Sequence, residues 1–297
     1  MSSTSGVFPF LMDAGTRKAA LRGRLVRIDD VASTILKRHG YDVAIEELLA
    51  EAMALSVCLA STMDYEGVFT LQAKGDAGVK TLFADVTSDG ALRSYAQAAN
   101  EFKGNASLGA PAPLIGLMGS GYLAFTVDQG EQGRYQGIVP IEDPDLNAVA
   151  MRYFFNSEQI DTALLLAAKP RQNGEGWHAA ALMLQRIPET GGNNDVIPIS
   201  DEESDIWHTA CTLMSTCTRD ELIDPELSPD ALLFRLFQEL KVSVLPMRPI
   251  KDQCRCSPER VDQMIDQLSR EEQEELAEND VITVTCEFCK NDHIKAI

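Results

Sequence analysis

The feature that most constrains this chain is a set of four cysteines in its last 44 positions. They run as Cys254-Arg255-Cys256 and, 29 residues on, Cys286-Glu287-Phe288-Cys289. Two tight pairs at that separation suit a tetrahedral Zn²⁺ site, one ion per chain, with four sulfur ligands at about 2.3 Å. Two structural disulfides would need an oxidising compartment, and four unlinked core cysteines would not fall in pairs. The physical need is plain, because a tail of this length lies near the limit of roughly 40 residues below which a unit requires a metal or disulfide staple. Structural zinc supplies on the order of 10–16 kcal/mol, coupled directly to folding. Cys254 and Cys256 have one residue between them, a tight knuckle that keeps their sulfurs adjacent and able to bond if the metal leaves. Zinc holds sulfur as thiolate, the form that attacks peroxide, and oxidation destroys the ligand. Losing a pair of ligands would therefore unfold the tail, and the site reads as a redox switch.

The formal charge of −19, from 45 acidic and 26 basic residues, opposes polyanion binding, which relies on clustered Lys and Arg. No nucleic-acid partner is expected. Arg17, Lys18, Arg22, Arg24 and Arg27 form a small basic patch, read as an amphipathic entry segment with solvated charges. No apolar run reaches the 18 or more residues of a membrane helix, and the first residues lack the pattern of a secretory signal. A cytoplasmic protein without a membrane partner is expected. Cys58, Cys211 and Cys217 make the cysteine count odd, which again favours metal or redox chemistry over a secreted disulfide framework.

The pattern along the chain predicts an α+β fold. Tyr41 to Met63 reads as an amphipathic helix. Val68 to Gln72, Val79 to Val86 and Ala91 to Tyr95 read as strands, with Ser88-Asp89-Gly90 a hairpin cue. Tyr122 to Val127 pairs with Arg134 to Pro140, and Thr162 to Ala168 with Trp177 to Arg186 around Asn173-Gly174. Asp145 to Phe155 reads as a helix. Pro188 to Ile199 reads as a linker. Ser200, with Glu203, opens a helix to Thr218 whose Thr-rich interior is poor in helix formers, so it depends on packing its Trp207, Leu213 and Met214 face. Ser228-Pro229 starts a further helix bearing Leu232, Leu233, Leu236, Phe237 and Leu240. In the tail, Ser257-Pro258 opens a helix with Val261, Met264, Ile265 and Leu268 as its buried stripe. Ser269 with Glu272 forms a capping box, and Val281 to Thr285 is a β-run delivering Cys286. The expected organisation is a mixed α/β-sheet domain over 1–187, a metastable helical linker or switch region over 188–250 and a small zinc-binding domain over 251–297.

Other motifs carry less. Gly116 to Gly121 (GLMGSG) lacks the Lys-Ser/Thr of a phosphate loop and reads as a turn between strands. His39, His178 and His208 have no partner pattern, and His293 is an alternative ligand made superfluous by four cysteines.

Several segments together resemble the bacterial 33 kDa heat-shock protein family. They are CRCSPERV at 254–261, VTCEFC at 284–289, TLQAKGDAGVKTLFADVTSDGALRSYA at 70–96, RYQGIVP at 134–140 and YFFNSEQ at 153–159. The resemblance covers nearly the whole chain. It implies a cytosolic, redox-regulated holdase chaperone that is inactive while reduced and zinc-bound. Oxidation would form the disulfides Cys254–Cys256 and Cys286–Cys289 with loss of zinc, unfolding of tail and linker, homodimerisation and ATP-independent holding of unfolding clients. Such a protein is not an enzyme, since oxidation consumes its thiols stoichiometrically. Cys211 and Cys217 depart from the family motif. The client-binding surface is expected at Trp207, Leu213, Met214, Leu232, Leu233, Phe234 and Phe237, braced by the folded tail and released with it. The rival readings are a thiol-disulfide oxidoreductase using Cys286 and Cys289, and a zinc-ribbon nucleic-acid module, which the acidic charge opposes.

Overall fold

The computed structural model describes residues 5–12, 21–99, 112–172, 174–187 and 201–297. Arg17, Lys18, Asn173, the Pro188–Ile199 linker, the Ser200 cap and the Glu203 side chain lie outside the described residues.

The elements run in chain order β1 (Gly6–Met12), β2 (Leu21–Arg27), α1 (Asp29–Lys37), α2 (Val43–Ala60), β3 (Val68–Gly75), β4 (Val79–Thr87), β5 (Ala91–Ala98), α3 (Leu114–Met118), β6 (Gly121–Asp128), β7 (Arg134–Pro140), α4 (Leu146–Tyr153), β8 (Thr162–Pro170) and β9 (Trp177–Arg186). There follow α5 (Asp201–Ser215), α6 (Arg219–Leu222), α7 (Pro229–Phe237), β10 (Ser243–Val244), β11 (Arg248–Pro249), β12 (Lys251–Asp252), α8 (Pro258–Asp266), α9 (Arg270–Leu276), β13 (Val281–Thr285) and β14 (Asp292–Ala296). The fold is α+β, as the runs of strands broken by separate helices predicted.

Two sheets enclose one helix. The first has the order β10-β1-β2-β9-β8, with β11 also on β1, and the second the order β12-β5-β4-β3-β6-β7. Helix α2 lies between them, against β2, β8 and β9 on one side and β3, β4 and β5 on the other. It is therefore not amphipathic in the expected sense. Sixteen of its residues are buried, including Glu47 and Glu51, because both faces meet a sheet. Asp42 caps it, its side chain accepting from the Ala44 amide at 3.1 Å.

The basic entry segment needs correction. Arg22, Arg24 and Arg27 lie on β2, which pairs with β1 and β9 along its whole length. Arg22 donates to Gln185, and Arg27 is buried. Gly23 is required there, since a Cβ would fall 2.0 Å from the Phe10 ring. GLMGSG is also more than a turn: Leu114–Met118 is a short helix closed by Gly119 at φ 70°.

Helices α5, α6 and α7 cover the outer face of the first sheet. Ile206, Ala210, Met214, Leu222, Leu232, Leu233 and Phe237 bury against Phe10, Met12, Leu21, Leu25, Leu182 and Leu184. Two arginines fasten α6. Arg27 donates to the carbonyls of Leu222, Asp224 and Leu227 at 3.1, 2.9 and 2.6 Å, the last residue of α6 and two of the segment that follows it. Arg219, at the first turn of α6, reaches Glu51 at 2.8 Å, Glu47 at 3.5 Å and the Leu166 carbonyl at 2.5 Å. The capping box Thr218/Glu221 starts this helix. Among the described residues no helix is long and apolar enough to cross a membrane.

Candidate metal centre

The chain reaches the four cysteines by a strap that laces the two sheets together. Phe10 pairs with Val244 and Gly6 with Pro249, while Lys251 and Asp252 run parallel to Ala91 and Leu92. Gly90 permits the approach: its φ is 84°, and a Cβ would lie 2.5 Å from the Pro249 carbonyl. Asp252 accepts from Arg38, one of the two bonds being 2.9 Å long. Cys254 follows at once.

The first knuckle is Cys254-Arg255-Cys256, in which the Cys256 amide points to Cys254 Sγ at 3.5 Å. Ser257 then caps α8, and Pro258 occupies its first turn, as predicted. Ser269 and Glu272 form the expected capping box of α9. Strand β13 delivers Cys286 as predicted, and the second knuckle is the turn into β14, closed by Lys290 N donating to the Cys286 carbonyl at 2.8 Å. The buried stripe expected on α8 is narrower: Ile265 is buried, whereas Met264 is half exposed. Along 254–297 only Ile265 and Ile282 are fully buried apolar side chains.

The four Sγ atoms lie within 4.8 Å of one another. Cys254 to Cys286 measures 3.7 Å, and Cys256 to Cys289 3.4 Å. A tetrahedron with sulfur about 2.3 Å from a central Zn²⁺ has edges of about 3.8 Å, so the donor set fits such an ion. All seven cysteines are unbridged. His293 is no part of the cluster, because it sits on β14 opposite Val284.

Cations rim the thiols. Arg38 has its pKa raised, chiefly by its bond to Asp252, with Cys289 and Cys254 adding to the effect. For Arg93, burial works against the charge, and Asp85 and Cys254 more than offset it. Burial also pushes Cys254 up, but hydrogen bonds from the Cys256 amide and the neighbouring thiols outweigh it and bring the group down to about 7. Cys256 and Cys289 are pushed up, first by burial. The other thiols are packing groups: burial drives Cys58 up to about 12, and Cys211 and Cys217 up to about 11. A thiol so raised is a poor nucleophile.

The tail docks on the second sheet. Arg255 reaches Asp85 at 2.6 Å, and Phe288, inside the second knuckle, packs against Phe83 and Tyr95. The sequence does not predict this contact, although an aromatic between two paired cysteines is the signal that could have suggested it. The surface residues expected to bind clients lie on the other sheet. Met214, Leu232, Leu233 and Phe237 are buried there, Trp207 and Leu213 are partly buried, and Phe234 stands exposed on the far side of α7. The Arg255 and Phe288 contacts hold the tail on the second sheet, and the 241–253 strap links it to the first. The oxidoreductase reading also meets an obstacle, since Cys286 and Cys289 sit in a turn between two strands and not at a helix N-terminus, where such dithiols are activated.

Fold and site together define a class: an α+β core carrying a small C-terminal unit organised by four cysteines positioned to bind a metal ion. The Hsp33 protein family model matches residues 10–294. The 33 kDa chaperonin of Caulobacter vibrioides is 37% identical over 274 residues, covering 91% of this chain and 88% of the relative. That of Nitrosococcus oceani is 32% identical, covering 97% and 90%. The crystal structure of the 33 kDa chaperonin from Thermotoga maritima superposes with a TM-score of 0.80 over 98% of this chain and 95% of that one, at 19% identity, a likeness of fold. This chain belongs to the Hsp33 family, which is a family of chaperones and not of enzymes.

Proposed function

We propose that the protein is a redox-regulated, ATP-independent holdase of the cytoplasm, with a core over 1–187, a switch region over 188–250 and a zinc-binding redox unit over 251–297. The observation that carries the reading is the convergence of four thiols within 4.8 Å in a tail that buries only two apolar side chains of its own. Such a tail owes its shape to the ligand set. When bound, Zn²⁺ supplies the positive charge that keeps the four sulfurs as thiolates at tetrahedral corners.

The chemistry uses a peroxide as oxidant. One thiolate attacks the O–O bond, becomes a sulfenic acid and expels hydroxide. The second thiolate of the pair attacks that sulfur, forming the disulfide and expelling a second hydroxide. Cys254 with Cys256 and Cys286 with Cys289 are the pairs, each within one knuckle. A disulfide brings two sulfurs to about 2.05 Å, well short of the spacing the ligand tetrahedron needs. Both knuckles then lose their shape, and so does the end of the strap that leads into Cys254. Undocking of α5–α7 would bare Trp207, Leu213, Met214, Leu232, Leu233 and Phe237 beside the exposed Phe234. A contiguous apolar patch of that kind binds unfolding polypeptides or a second copy of the chain.

The test compares reduced and peroxide-treated protein, each for suppression of a client's thermal aggregation, with disulfides mapped by peptide mass spectrometry. Activity confined to the oxidised form, with the two within-knuckle bonds, supports the reading. Equal activity of both forms would overturn it.

A further inference from the structure

The tail places one aromatic ring on the core, and the place it occupies is built without it. Phe83 on β4 and Tyr95 on β5 are register partners on the outer face of the second sheet, their rings 5.8 Å apart. Beside them Arg93 is held by Asp85, with Nε at 3.0 and 3.1 Å from the two carboxylate oxygens and Nη2 at 2.9 Å. Asp85 is buried, and the whole group stands on paired strands of the core. Into it projects Phe288. Its ring meets Tyr95 edge-on at 4.8 Å and 82°, and Phe83 at 5.5 Å and 76°. The Arg93 guanidinium lies over the same ring, 3.8 Å from its centroid.

We propose that Phe83, Tyr95 and Arg93 form a seat for an aromatic side chain of an unfolded client, which Phe288 occupies as an internal stand-in while the tail is docked. The chemistry of the occupant is written in Phe288 itself. A fixed guanidinium over a ring face and two rings roughly perpendicular to it favour Phe, Tyr or Trp over an aliphatic side chain of similar bulk. The seat is preorganised, since the Asp85–Arg93 pair and the Phe83–Tyr95 pair both lie within the β4–β5 hairpin. The inference rests on the redox reading for how the seat is vacated. Phe288 lies between Cys286 and Cys289, so a change in that knuckle moves the ring. It also adds something new, because this seat is on the second sheet, whereas the surface under α5–α7 is on the first. A client would be held at two faces of the core, one of them selective for aromatic residues.

The experiment uses the full-length, reduced, zinc-loaded chain with Phe288→Ala, and a fluorescent unstructured peptide carrying a single Phe, compared with the same peptide carrying Leu. Anisotropy should show the Phe peptide binding the variant about tenfold more tightly than reduced wild type, equivalent to about 1.4 kcal/mol. The Leu peptide should gain much less. Adding Phe83→Ala and Tyr95→Ala to the variant should return the Phe peptide to the wild-type level. Equal binding of Phe and Leu peptides, or a gain that survives the triple substitution, would overturn the proposal. A second measurement covers a Phe288→Ala chain that fails to keep its zinc: oxidised wild type and oxidised Phe83→Ala/Tyr95→Ala are titrated with the same peptides. Loss of Phe preference in the double variant supports the seat, and an unchanged preference overturns it. Oxidised wild type that binds neither peptide nor client would sink the redox reading, while the reduced Phe288→Ala titration would still decide the seat.

Discussion

Arg219→Ala should loosen helices α5–α7, and do so more at high pH than at low. The side chain is 14% exposed and is the cation that faces both Glu47 and Glu51, which are each 1% exposed at the side chain. Burial first, then mutual repulsion at Glu47, push both carboxyls up to about 7 even with Arg219 in place. Truncation leaves two buried carboxyls with no counter-ion, an event that costs about 3–5 kcal/mol when one member of a buried pair is removed. A carboxyl forced to keep its proton at pH 7.5, three units above its ordinary value, costs about 4 kcal/mol, and at pH 5.5 about 1.4 kcal/mol. Water can relieve the pair only if α6 lifts away. Wild type, with both carboxyls already raised to about 7, bears most of that cost itself. Truncation therefore adds about 0.8 kcal/mol per carboxyl at pH 7.5 and almost nothing at pH 5.5, and opening of α6 relative to wild type should rise roughly tenfold more at the higher pH. The assay is hydrogen exchange of the zinc-loaded protein by mass spectrometry, corrected for intrinsic exchange rates, over 205–240. Unchanged protection there, or an equal increase at both pH values, would refute the claim that this ion cluster latches the helix.

The same cluster makes a linkage prediction. Because the folded values of Glu47 and Glu51 lie above their unfolded ones, the folded state binds the extra protons. Their contribution to stability is greatest below pH 4.5 and falls as pH rises to about 7. Glu47→Gln should therefore raise the urea midpoint at pH 7.5 more than at pH 5, and an equal shift at both would contradict it. Ile265→Ala should cost about 2–4 kcal/mol, a large loss for a tail with two buried apolar side chains. Limited proteolysis should then cut within 254–297 while leaving the two-sheet core intact. Gly90→Val combines a positive φ with a Cβ 2.5 Å from the Pro249 carbonyl. It should destabilise by more than about 1 kcal/mol and raise exchange along 248–253, which a merely local turn defect would leave alone.

The tail was the most legible part, because four cysteines in two pairs, Ser-Pro at 257–258 and the Ser269/Glu272 box are signals local to the sequence. The hairpins of β3 to β9 were legible for the same reason, alternation and turn residues lying within a dozen positions of each other. Strands β1 and β2 were not. Pro9 interrupts one, and Arg22, Arg24 and Arg27 make the other look like a solvated face, yet each arginine finds a partner far away in sequence. Arg27 meets the carbonyls of Leu222 and Leu227, about 200 positions on, and no local pattern reports such a pairing. Helix α2 was found but its environment misjudged, since a helix between two sheets needs no polar face. The docking of the tail was equally hidden, being made by Phe288 and Arg255 against residues of a hairpin read separately.

The central claim, that the thiol cluster gates client holding, is tested most directly on a single peroxide-treated sample. Zinc released per chain, by a chromophoric chelator, is followed in time beside suppression of a client's aggregation. About one zinc per chain should appear with holding activity on the same time course, as metal binding coupled to folding requires. Zinc that stays bound while activity appears, or leaves with no gain in client holding, would contradict it and leave the four cysteines as a structural staple.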